Sequence, residues 1–121
     1  MMAQGAFKNA IKAFLKTLKL QPENYITSLN LGRAYKENGD FQAAFNAFSK
    51  VISMQPEFSE AHNDLGLTLY GQGKLETALK SYQKAVDLNP NYADAYNNMG
   101  VAQQELGAVT RAIESYQKAI A

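Results

Sequence analysis

The chain is 121 residues long, 46% hydrophobic and nearly balanced in charge, with 12 basic and 11 acidic residues. That length suits one domain, and the apolar content is too high for a disordered chain. A net charge of +1 excludes the broad basic footprint of a nucleic-acid binder, and the lack of cysteine excludes disulfides, thiolate metal sites and a cysteine nucleophile.

Residues 1–5 lack the basic region and apolar run of a signal peptide, and no stretch is long and apolar enough to span a bilayer. Membrane insertion is not expected, and the cytoplasm is the default location. The first periodic segment carries Phe7, Ala10, Ile11, Phe14 and Leu18 on one helical face, interrupted only by Thr17. It predicts a helix over roughly 7–20, stopped by Pro22, which cannot continue it. A less apolar helix is predicted over about 25–38, built on Leu31, Gly32 and Tyr35 and closed by Gly39. Phe41, Ala44, Phe45, Phe48, Val51 and Ile52 then repeat the first pattern, predicting a helix over about 41–54 before Pro56.

The same alternation continues. Leu65, Gly66 and Leu69 predict a helix over about 59–72 ending at Gly73. Leu75, Ala78, Leu79, Tyr82, Ala85 and Val86 predict one over about 75–88 ending before Pro90. Met99, Gly100 and Gln103 predict about 93–106, closed by Gly107, and Val109, Ala112, Ile113, Tyr116, Ala119 and Ile120 predict about 109–120. About seven helices result, and no alternation of period two persists anywhere.

One spacing runs through all of them. Pro22, Pro56 and Pro90 are 34 residues apart, as are Gly5, Gly39, Gly73 and Gly107, then Ala10, Ala44, Ala78 and Ala112, then Gly32, Gly66 and Gly100. A fixed period in this range marks a solenoid of stacked supersecondary units. With the proline at position 32, the units are 25–58, 59–92 and 93–121, preceded by the back half of another, 1–24. A mid-helix glycine costs about 1 kcal/mol relative to alanine, so its recurrence needs a reason. The expected one is close helix approach, pairing Gly32 with Ala44, Gly66 with Ala78 and Gly100 with Ala112.

These residues resemble the tetratricopeptide-repeat (TPR) family. The family pattern has Leu-Gly at positions 7 and 8, an aromatic at 24, small residues at 20 and 27 and proline at 32. Position 24 here is Phe14, Phe48, Tyr82 and Tyr116, and position 27 is Thr17, Val51, Ala85 and Ala119. The departures are at position 4, where the family's aromatic becomes Ser28, His62 and Tyr96, and at position 11, which reads Tyr35, Leu69 and Gln103. The resemblance covers essentially the whole chain. It implies an all-α fold, a right-handed α-solenoid of antiparallel helix pairs whose first helices line a concave face. It also implies a protein-interaction scaffold that receives a protein or peptide there.

Carried onto the family's concave positions, the groove comprises Asn30 and Arg33 in the first unit, Asn63, Asp64 and Leu67 in the second, and Asn97, Asn98 and Val101 in the third. Position 6 is polar each time, as Asn30, Asp64 and Asn98. A carboxamide both donates and accepts, so one per unit can hold a peptide backbone of any sequence. This ladder is similar to the asparagine ladder in the TPR region of O-linked sugar transferases. Asp64 interrupts it, because an ionised carboxylate only accepts. The plain alternative is that these are solvated surface side chains. The family's clamp for a C-terminal carboxylate is not expected. It needs cations where this chain has Leu29, Asn63 and Asn97 at position 5 and Ile26, Glu60 and Asp94 at position 2.

No catalytic constellation is present. His62 is the single histidine and falls at a packing position, and the glycines punctuate helices rather than form a phosphate loop. Neither an enzyme activity, a cofactor nor a metal is expected. Two alternatives stand beside the peptide-binding scaffold. One is a regulatory or substrate-recruiting TPR segment of a larger enzyme such as a sugar transferase. The other is a self-assembling scaffold, a homo-oligomer joined through uncapped ends at helices 7–20 and 109–120, because terminal repeats expose a face meant for a neighbour.

Overall fold

The computed structural model describes residues 4–121. Among them are seven α-helices and no strands: α1 (Gln4–Leu20), α2 (Tyr25–Glu37), α3 (Phe41–Met54), α4 (Ser59–Gly71), α5 (Leu75–Leu88), α6 (Ala93–Glu105) and α7 (Val109–Ile120). Six helices lie within one residue of their predicted bounds, and α1 starts three residues early. The first-helix ends fall one residue short because Asn38, Gln72 and Leu106 are the cap residues. Gly39, Gly73 and Gly107 follow them with φ of +82°, +78° and +82°, the left-handed conformation that closes a helix and that a Cβ disfavours.

The helices form two compact units, one up to Pro56 and one from Glu57. In the first, α2 packs against both α1 and α3; in the second, α4 packs on α5, α5 on α6 and α6 on α7, with α4 also beside α6. α2 and α3, α4 and α5, and α6 and α7 are antiparallel pairs joined by tight turns. The helix starts differ. Asn24 caps α2 with its side chain, accepting from the Thr27 amide at 3.1 Å. At the equivalent places, Phe58 and Tyr92 make no side-chain cap, and their carbonyls take the Ala61 and Tyr96 amides at 3.1 and 3.2 Å.

The mid-helix glycines are explained by close approach, but the expected partner is corrected. A Cβ at Gly32 would stand 2.6 Å from the Phe48 ring, one at Gly66 2.4 Å from the Tyr82 ring, and one at Gly100 2.5 Å from the Tyr116 ring. Ala44, Ala78 and Ala112 are buried, yet none is among the nearest atoms. The aromatic lies one turn further along the same stripe, and its length carries the ring back over the glycine. Each repeat is therefore locked by a flat ring resting on bare backbone.

Burial pushes the Tyr82 hydroxyl well above the ordinary tyrosine range, and Tyr70 adds a smaller push in the same direction. The neutral phenol is the form the fold favours. Its contribution to stability is complete below the ordinary tyrosine value near 10 and is lost as pH rises through the raised one. The melting temperature is expected to fall above about pH 10, and Tyr82→Phe should flatten that fall while changing little at neutral pH. Thermal melts of both proteins across alkaline pH measure this; parallel curves would assign the alkaline loss elsewhere.

Candidate functional site

In the second unit α4 lies beside α6, and two of the predicted groove residues, one on each helix, are joined there. Asn98 Nδ2 donates to Asn63 Oδ1 at 3.0 Å, and the Tyr70 hydroxyl donates to Glu105 Oε1. Both bonds join residues 35 apart, one repeat plus one position, so they tie equivalent faces of successive first helices. The Asn63 side chain also stands against the Tyr92 hydroxyl, so Asn98, Asn63 and Tyr92 form one cluster.

This cluster changes what each carboxamide can do. Asn63 is only 6% exposed and its carbonyl is engaged, so it orients Asn98 more than it faces solvent. Asn98 is half-buried and keeps its carbonyl, while Asn97 beside it is exposed. Leu67 and Val101 are half-buried. Asp64 is 6% exposed. Desolvation raises the Tyr92 hydroxyl above its ordinary value, and the charges of Asp64, Glu60 and Asp94 raise it further, against the opposing Asn63 hydrogen bond. Acidic side chains as well as carboxamides therefore lie about Tyr92. The Tyr70 hydroxyl is raised chiefly by its bond to Glu105.

Asn30 and Arg33 belong to the first unit, where both are half-buried on α2. Nearby, Leu29 is buried and Lys36 pairs with Glu37 at 3.9 Å. Tyr92 is the participant that sequence reasoning passed over. It lies in the turn before α6, outside both helical stripes, so no periodicity marks it. Among the described residues no group of three or more His, Cys, Asp or Glu is placed to hold a metal ion. His62 is buried at its packing position. No described helix is long and apolar enough to cross a membrane.

A family model described as TPR repeat matches residues 32–73 and 69–107. Among solved structures, MamA 41-end from Desulfovibrio magneticus RS-1 is 27% identical, with a TM-score of 0.90 over 96% of this chain and 66% of that one. A MamA RS-1 double mutant is also 27% identical, with a TM-score of 0.88 over 96% and 65%. A crystal structure of MamA is 25% identical, with a TM-score of 0.65 over 96% and 88%. The chain spans just under two thirds of the length of the first two. No protein of curated function matches it.

Proposed function

This chain belongs to the tetratricopeptide-repeat family, and from that premise we propose that it binds an extended peptide segment of a partner protein along the first helices, on the concave face, without chemistry of its own. The observation that carries the reading is the Asn98–Asn63 bond, which fixes one carboxamide by means of another across two repeats. A carboxamide held in place has lost its rotamer entropy before the ligand arrives, which favours binding. Asn98 then presents its carbonyl to a backbone N–H, and the exposed Asn97 offers both donor and acceptor. Asn30 and Arg33 provide the corresponding face of the first unit. The exposed Asp94 favours a neutral or basic segment over an acidic one at the second unit.

A random peptide display library panned on the intact chain tests this. Selected peptides are expected to weaken at least about tenfold on Asn97→Ala and on Asn98→Ala, a loss of about 1.4 kcal/mol per variant. Asn98→Ala also leaves the enclosed Asn63 carbonyl without its donor, a cost of about 1–3 kcal/mol in stability. Asn97→Ala, at an exposed position, carries no such cost and separates recognition from folding. Selected peptides that bind both variants as tightly as the parent would remove these carboxamides from consideration.

A further inference from the structure

The first unit contains a second recess, on a different stripe of α2. Its volume is about 560 Å³, and Leu15 and Leu18 of α1, Leu31 of α2 and Ala47 of α3 give it apolar walls. Asn30 and Arg33 do not line it. Ser28, only 1% exposed, is part of the lining, and its Oγ has no hydrogen-bond partner. A buried hydroxyl left unsatisfied is costly and calls for a partner. Lys19 and Lys50 stand exposed at the edge.

At the equivalent positions of the second unit an aromatic ring stands beside the lysine. Sixty-eight residues on, two repeats later, Ser28 becomes Tyr96 and Lys50 becomes Lys118. There the Lys118 Nζ lies 5.7 Å from the centroid of the Tyr96 ring, within cation–π range. The first unit keeps the lysine and has no ring at position 28, although Tyr35 also lines the recess. It also keeps unusual charge: residues up to Pro56 include seven basic and three acidic side chains, net +4, whereas those from Glu57 include five and eight, net −3. α1 carries four lysines and no acidic residue, and Lys50 is the only charged residue of α3.

We infer that this recess docks a tyrosine from an acidic segment of a partner protein. The ring stands beside Lys50 as the Tyr96 ring stands beside Lys118 in the second unit. Its hydroxyl supplies Ser28 Oγ with a hydrogen-bond partner, and flanking carboxylates meet Lys12, Lys16, Lys19 and Lys50. The site is separate from the carboxamides of the second unit, so either stands if the other fails.

The probe is a short fluorescein-labelled peptide of glutamate and serine with one central tyrosine, read by anisotropy against the intact chain. Saturable binding is expected, weakened about tenfold or more when the tyrosine becomes alanine and falling steeply with salt. Ser28→Tyr fills the recess from within and should abolish binding while Asn97→Ala leaves it unchanged. Ala43→Trp blocks the recess from a half-exposed lining position, which keeps the test sound if Ser28→Tyr disturbs folding. Lys19→Glu combined with Lys50→Glu should weaken binding about tenfold or more and reduce its salt dependence. Equal binding by a lysine–serine–tyrosine peptide, or binding unaltered in a folded Ser28→Tyr or Ala43→Trp protein, would overturn the assignment. So would a concentration-dependent rise in mass that either variant abolishes, since the occupant would then be a second copy of this chain.

Discussion

Phe48→Ala is expected to cost about 3–5 kcal/mol, the usual loss for a buried phenylalanine and a large part of the 5–15 kcal/mol that holds a typical domain. Phe48 is 0% exposed, and its ring covers the backbone of Gly32. The spread of such losses depends on how well neighbours collapse into the hole. Here the residue beneath the ring is a glycine, which has no side chain to move in, so the upper half of the range is expected. Tyr116→Ala should cost less, because Tyr116 is half-buried and its hydroxyl bonds Gln104 at a solvent-facing place. The two sites also couple in a characteristic way. Gly32→Ala alone drives a Cβ to 2.6 Å from the ring and destabilises. In the Phe48→Ala background the same change meets empty space and recovers up to about 1 kcal/mol of helix propensity. Urea unfolding of the four proteins measures a double-mutant cycle in which the Gly32 substitution changes sign. A Gly32→Ala effect of the same sign and size in both backgrounds would mean that the ring is not what excludes a side chain there.

Gly66→Leu is expected to be similarly severe in the second unit. Overpacking a tight core costs about 1–3 kcal/mol and sometimes more. At Gly66 the first added carbon already stands 2.4 Å from Cε1 and 2.5 Å from Cδ1 of Tyr82. Tyr82 is 1% exposed, so its ring cannot swing into water to make room. Even Gly66→Ala should destabilise, although alanine is the better helix former by about 1 kcal/mol. Gly100→Ala is the internal comparison. Its neighbour Tyr116 is half-buried, so its ring has more room to shift than Tyr82 and the loss there should be smaller. Thermal or urea unfolding of the three variants gives the order Gly66→Leu, Gly66→Ala, Gly100→Ala from most to least damaging. A stabilised Gly66→Ala would show that the α4–α5 pair gives way at little cost, and the account of the conserved spacing of these glycines within the chain would fall with it.

Much of this molecule is legible without coordinates. The 34-residue period, the helix bounds, the left-handed glycines and the prolines two residues past the ends of α1, α3 and α5 are all local properties. A cap acts within one turn, and an apolar stripe recurs every 3.6 residues, so neighbours in the chain suffice to infer both. Three decisions escaped that reasoning because they depend on reach across a helix pair. The nearest neighbours of Gly66 are ring atoms of Tyr82, since ring length carries them past the small Ala78. Asn63 is enclosed, bonded to Asn98 and set against Tyr92, which a solvated groove residue would not be, because α6 and the turn before it lie over that part of α4. The exchange of tyrosine for serine at position 28 reads in sequence only as a departure from a repeat. The tertiary structure turns it into part of a recess, because α1 and α3 pack on α2 from both sides and residues of all three helices line it.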